Sequence, residues 1–291
     1  MDTVCLTDLA GLWRRTLIQW PGDPADTETE VFWLQSLKHY ADLRIPQGRP
    51  DRRAIACLRD LDWDMLRFMA RQEGFIGHLD VVHSTGQWHR AFDYQPDRGV
   101  ADRGALSFQG NVLVERGVDL PYVEHWVREP QAGQDTMALW LGTNDSLPIG
   151  CLMAAGDFFM YARSRVSPLP RNTTLRQLVD ESSSITDAQN LFDCEISFGR
   201  VGNGHWRIER SSLPFREGHG LAPIIDSVPP MDPARGMLVV GDVTAEGAAI
   251  KRIWHIAACE SSRPFDRWFG SEQPLDPAAL PNTAPAGPTL N

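Results

Sequence analysis

The sequence predicts an all-β protein, an antiparallel barrel with few and short helices, and three observations predict it. Apolar runs rich in Val, Ile, Phe, Trp and Tyr recur along the 291 residues, bounded by Gly, Pro, Asn or Asp. Only two segments space their apolar residues at the helical period. In several runs, residues two apart, which share one face of a strand, pair a large aromatic with an ionisable group.

Taken in order, strands are expected near residues 11–20, 30–36, 40–46, 77–83, 86–95, 105–116, 121–129, 136–142, 149–165, 191–201, 204–213, 237–243 and 249–259. That spacing describes a meander closing into one large barrel or two consecutive ones. Closure of the first strand on 136–142 would mean two barrels, and closure on 249–259 would mean one. A helix is expected over 60–72, where Leu61, Met65, Phe68 and Met69 fall at helical spacing, acidic residues occupy the first turn and Gly74 follows. A second is expected over 173–181, with Asn172 as N-cap and Leu175, Leu178 and Val179 on one face. Both are short enough to be lids on a barrel. The organisation expected is a first barrel region over 1–148, a second β region over 149–271 and a proline-rich, extended tail over 272–291. Proline-bearing stretches at 166–172 and 213–236 are the candidate junctions between sub-barrels.

Composition narrows the function classes. Thirty-eight acidic residues against 28 basic ones give a net charge of −10, which repels phosphate backbones and anionic lipid, so neither nucleic acid nor a membrane is expected as a partner. No segment approaches the roughly 20 apolar residues of a membrane helix, and the first residues do not read as a signal peptide. The five cysteines are an odd number, widely spaced and without a Cys-x-x-Cys pair, so a reduced, cytoplasmic protein without a disulfide framework is expected.

Gly11-Leu12-Trp13, followed at once by Arg14 and Arg15 and an alternating run, resembles the Gly-x-Trp opening of lipocalin and related calycin barrels. The resemblance implies a sharp entry into the first strand at the glycine. It also implies that Trp13 plugs one end of the barrel, with a late-chain arginine such as Arg252 as a cation–π partner. The wider phrasing Val31-Phe32-Trp33-Leu34-Gln35 and Tyr40-Ala41-Asp42-Leu43-Arg44-Ile45-Pro46 is similar to an uncharacterised group of bacterial and fungal proteins with two lipocalin-like barrels. That resemblance implies a fold and no activity.

Strand alternation supplies the candidate site. Trp13 shares a face with Arg15, Trp33 with Gln35, Trp88 with Arg90 and Tyr94, Trp126 with Tyr122, Glu124 and Arg128, Trp206 with Arg210, and Phe159 and Tyr161 with Asp157 and Arg163. Such faces either lie outside, with arginine stems across tryptophan rings, or line a hollow that holds a small, partly polar molecule. On the second reading Glu124 moves a proton, Tyr122 and Tyr161 donate hydrogen bonds, and Arg90 and Arg163 hold an anionic group. Trp33, Trp88, Tyr94 and Trp126 complete the binding surface. A carboxyl among aromatics has its pKa raised by desolvation, as acid–base catalysis near neutrality requires.

Those residues suggest a small-molecule-enclosing barrel, leaning towards a cofactor-independent lyase, isomerase or cyclase acting on a polar aromatic or anionic organic substrate. A carrier or sensor without turnover is a second reading, and a partner-binding module with a filled interior is another. A homodimer is left open. Haem binding through His125 or His89 is a further alternative, since one histidine inside a barrel suffices for an axial ligand. The eight histidines form no helical zinc motif, and His78 and His83, on either side of Asp80, face opposite sides of a strand, so no metal is expected. There is no Gly-x-Ser-x-Gly elbow. Gly199 to Gly204 joins two strands, with a hairpin turn at Gly202-Asn203-Gly204, and is not a phosphate loop.

Overall fold

The computed structural model describes residues 3–97, 99–133, 135–142, 150–202, 204–225 and 236–269. The tail expected from residue 272, the turn residue Asn203 and most of 213–236 beyond Ile225 lie outside the described residues.

The first eight strands form a closed antiparallel barrel in sequence order: β1 Gly11–Gln19, β2 Glu30–Gln35, β3 His39–Ile45, β4 Glu73–Val82, β5 Thr85–Asp93, β6 Asp102–Gln109, β7 Val112–Gly117 and β8 Val123–Arg128. Closure is made by β1 on β8, with Trp13 opposite Arg128 and Gln19 opposite Val123. Neither closure envisaged from the sequence occurs, because eight strands already complete a cylinder whose interior side chains can fill it. The remaining strands, β9 Thr136–Gly142, β10 Gly150–Ala155, β11 Phe158–Arg163, β12 Glu195–Gly202, β13 His205–Ser211, β14 Ile224–Ile225, β15 Met237–Val243 and β16 Ala249–Ser261, make a second antiparallel sheet. Its order is β13-β12-β11-β10-β9-β16-β15-β14, and it curls into a half-barrel. A closed eight-stranded barrel beside a half-barrel is a calycin-like architecture.

Two expected strands are hairpins. The run 105–116 is broken between β6 and β7 by Gly110, and the run 149–165 between β10 and β11 by Gly156, both glycines having positive φ. Each is followed by Asn or Asp, the turn chemistry that a long apolar run conceals.

The helices are short: α1 Trp63–Met69, α2 Leu175–Asp180, α3 Ile185–Asn190 and α4 Asp266–Phe269. Asp62 caps α1, its carboxylate accepting from the Met65 amide at 2.8 Å. Thr174, not Asn172, caps α2 in a reciprocal box with Gln177, since Asn172 sits at φ 58°, outside the range of an N-cap. Neither expected helix is a lid. Met65, Leu66, Phe68, Leu175 and Val179 are buried in the core between the two sheets.

That shared core explains the strand sequences. Outward-facing Leu12, Phe32, Leu34, Leu43 and Ile76 of the barrel pack against Trp140, Cys151, Met153, Met160, Ile196 and Phe198 of the second sheet. Phe32 and Phe198 stack with centroids 4.2 Å apart, and the Arg14 guanidinium covers the Phe32 ring at 4.0 Å. Strands at this junction are buried on both faces, so Val31-Phe32-Trp33-Leu34 is continuously apolar where a half-exposed strand would alternate. Two further cores lie inside the barrel and on the far face of the second sheet.

Gly11, at φ 125°, provides the sharp entry into β1, and Trp13 is buried at one end of the barrel. Its indole Nε1 donates to the Leu9 carbonyl at 2.7 Å, and its ring lies 5.9 Å from that of Trp33. The arginine over Trp13 is Arg128, at 4.6 Å, and not Arg252. Arg252 lies on β16 in the other sheet, bound to Asp242 at 2.6 Å, and β8, as the closing strand, supplies the cation instead.

Candidate functional site

Alternation within the barrel strands turns one set of side chains into a cavity of about 190 Å3. Trp33 comes from β2, Tyr40, Asp42 and Arg44 from β3, Phe75 from β4, Trp88 and Arg90 from β5, Asp102 from β6, Glu115 from β7, and Glu124 and Trp126 from β8; Tyr122 precedes β8. The tryptophans make an aromatic end, with Trp33 edge-on to Trp88 at 5.8 Å and to Trp126 at 5.4 Å. The ionisable groups form a layer beside it. A cavity of roughly 150 Å3 admits benzene, so this one is sized for a single ring with small substituents.

Six residues expected in the site, Trp33, Trp88, Arg90, Tyr122, Glu124 and Trp126, therefore line one cavity. Tyr94 does not. A β-bulge sets Gly77 opposite Arg90 and Ile76 opposite Phe92, leaving Ala91 unpaired, so Asp93 takes the inward position and Tyr94 turns outward. Its ring is buried near Phe192, and Arg165 lies 5.6 Å from it. Tyr161 and Arg163 are also elsewhere, on β11 of the second sheet. The Tyr161 hydroxyl accepts from Trp254 Nε1 at 3.2 Å, and Arg163 pairs with Asp193 at 2.9 Å. Nearby, Arg216 binds Glu195 at 3.0 Å and Arg252 binds Asp242, a separate buried network of matched charges. Of the two candidate haem ligands, His125 sits between inward Glu124 and Trp126 and so on the opposite face, while His89 stacks on His78. Neither lines the cavity, and a porphyrin is far larger than the single ring this volume admits.

Arg15 donates to Glu124 at 2.6 Å, and Arg44 lies 3.5 Å from the same carboxyl oxygen. Arg90 is likewise engaged: it bridges Asp93 and Asp102, the latter at 2.7 Å. Burial alone would lower the Arg90 pKa, but these two carboxylates raise it above the ordinary value.

The group left over is Glu115, which the sequence reading missed. It is fully buried, directly opposite Glu124 across β7 and β8, and has no cationic partner among the described residues. Tyr122 Oη donates to one carboxyl oxygen at 2.7 Å and Trp126 Nε1 to the other at 3.2 Å. Desolvation first, and then the neighbouring charge of Glu124, push its pKa well above the ordinary carboxyl value. Asp42 is pushed up to about 6 by burial, with Arg44 at 2.9 Å opposing the shift. Burial, then the carboxyl of Glu115, also raises the pKa of the Tyr122 phenol. Two glycines make room: a Cβ on Gly104 would stand 2.5 Å from Glu115 Cγ, and one on Gly117 would stand 2.6 Å from the Tyr122 ring. Finally, the Tyr40 hydroxyl is buried at the cavity wall with no hydrogen-bond partner among the described residues.

No protein-family model matches the chain, and no curated protein matches it. Among solved structures, it is similar to an uncharacterised protein of Saccharomyces cerevisiae, at 12% identity and a TM-score of 0.47, over 86% of this chain and 98% of that one. Among the described residues, no helix is long and apolar enough to cross a membrane. All five cysteines are free, with Cys57, Cys151 and Cys194 buried.

Proposed function

We propose that the closed barrel binds a small, planar, neutral or cationic organic molecule, with Glu115 and Tyr122 as the groups that exchange a proton with it. The observation that carries this reading is the buried Glu115 carboxyl, held by the uncharged donors Tyr122 and Trp126 beside the unpartnered Tyr40 hydroxyl in a cavity sized for one ring. In and around the cavity wall, Arg15, Arg44 and Arg90 stand against Asp42, Glu73, Asp93, Asp102, Glu115 and Glu124, three cations to six carboxyl groups. Every guanidinium is already paired, so a further anion has nothing to bind, whereas an amine or N–H donor meets surplus oxygen and tryptophan faces. This favours the polar aromatic over the anionic substrate expected from the sequence. Turnover of the lyase, isomerase or cyclase kind needs only the proton that Glu115 carries and the hydrogen bonds that Tyr122 and Tyr40 offer. The protein would then stand with the two-barrel lipocalin-like group, working in the cytoplasm.

The test is a pair of probes of equal shape and opposite charge. Benzylamine should quench the cavity tryptophans saturably and benzoate should not, with benzylamine quenching lost in Trp126→Ala. Binding of benzoate as tight as that of benzylamine would refute the charge assignment.

A further inference from the structure

The outer wall of the barrel carries a second cluster that the cavity does not use. On β4 and β5, His78 stands directly opposite His89, and Asp80 lies two residues further along β4 on the same face. The intervening Leu79 and the neighbouring Trp88 belong to the barrel interior, so the two imidazoles and the carboxylate project together from the other side. The rings stack at 4.5 Å, only 12° from parallel. His89 Nε2 is 3.2 Å and His78 Nε2 is 4.0 Å from the same Asp80 oxygen, and the three potential donor atoms all lie within 4.8 Å of one another.

We infer that His78, Asp80 and His89 bind a divalent transition cation of the zinc or cobalt class, with its remaining coordination positions open to water. Two imidazoles and one carboxylate are a donor set for such ions, whereas calcium and magnesium prefer oxygen ligands throughout. Three points support a built site over a chance meeting of polar side chains. The donors stand on two paired strands, so their spacing is set by the ladder and not by loop conformation. The bulge at Ala91 adjoins them, and bulges re-aim side chains. At that bulge Gly77 lies so close to the His89 carbonyl that a Cβ there would overlap it, so the backbone carrying His89 is held against β4 by a residue without a side chain. The next residue in the cross-strand row, His39 opposite His78, is engaged by Glu260 at 3.0 Å and so stands beside the site without being a ligand. His83, which flanks Asp80 in sequence on the other side from His78, sits in the turn between β4 and β5 at φ 49°, and it is His89 on β5 that stands with His78 and Asp80.

The experiment is calorimetric titration of the chelator-treated full chain with Zn2+, repeated with Co2+ and followed by visible absorption. One ion should bind per chain, with a Co2+ spectrum lacking a thiolate charge-transfer band, which distinguishes this site from the exposed Cys5 and Cys259. His89→Ala and Asp80→Asn should each weaken Zn2+ by at least the roughly 10- to 100-fold that loss of even an outer-shell partner costs. Zn2+ should raise the melting temperature of the wild type and not of His78→Ala/His89→Ala, in proportion to occupancy. Absence of stoichiometric binding, a thiolate band, or undiminished affinity in these variants would overturn the assignment.

Discussion

Glu115 and Glu124 face each other across adjacent barrel strands, and the structure treats the two carboxyls oppositely. Glu124 is held by Arg15 and Arg44, while Glu115 receives only the uncharged donors of Tyr122 and Trp126. Like charges directly opposite on a sheet are destabilising. Protonation of Glu115 would remove the conflict and, alongside Asp42, leave a buried acid in the cavity that can give up a proton.

The first consequence is a pH dependence of stability. A carboxyl whose pKa is raised by folding binds a proton that the unfolded chain releases, so its contribution is whole below the unfolded value and is lost as pH rises towards the folded value. Glu115 and Asp42 act in this sense, Asp42 between its ordinary 3.8 and about 6. The share of the unfolding free energy that Glu115 and Asp42 supply should therefore fall as pH rises above about 4, by at most about 1.4 kcal/mol per pH unit for each group. In Glu115→Gln, whose amide reproduces the protonated acid, the decline should be shallower in thermal melts recorded across that range. An unchanged profile would show that Glu115 is ionised throughout.

Tyr122 donates to Glu115, and that hydrogen bond favours the charged form. Tyr122→Phe should move the Glu115 titration, followed through Trp126 fluorescence, to higher pH, and should cost about 1 kcal/mol of stability. Movement to lower pH would contradict the assigned direction of the bond.

The closed end of the barrel separates two arginines. Arg128→Ala should destabilise the fold by about 1 kcal/mol through loss of its contact with the Trp13 ring. In a double-mutant cycle with Trp13→Phe, Arg128 should show coupling and Arg252 none, because Arg252 lies in the other sheet.

Phe32 and Phe198 join the barrel to the half-barrel. Either changed to Ala should cost about 3–5 kcal/mol in denaturant titrations, and the double variant less than the sum, since the rings share one contact. Additive losses would mean that the two sheets are held together elsewhere.

The β character and most strand positions were legible because alternation and turn residues act locally. Tyr94 was misplaced because one unpaired residue, Ala91, reverses every face beyond it, and nothing local announces a bulge. Tyr40, Asp42 and Arg44 were quoted for a resemblance but not recognised as a lining. Where the barrel's outer wall is covered by the second sheet, Ala41, Leu43 and Ile45 face that sheet, and the polar face that usually meets water meets the cavity. Glu115 was hidden inside a run read as one long strand. The turn at Gly110-Asn111 was the available signal, since placing it pairs Glu115 with Glu124. The separation of Tyr161 and Arg163 from the other candidates depends on which strands close the barrel, a long-range outcome that no short pattern encodes.

The protonation state of Glu115 is most directly read by infrared difference spectroscopy of wild type against Glu115→Gln at pH 7. A protonated carboxyl C=O band present in the wild type and absent in the variant is the result expected. A difference spectrum containing only carboxylate bands would contradict it and remove the acid from the cavity.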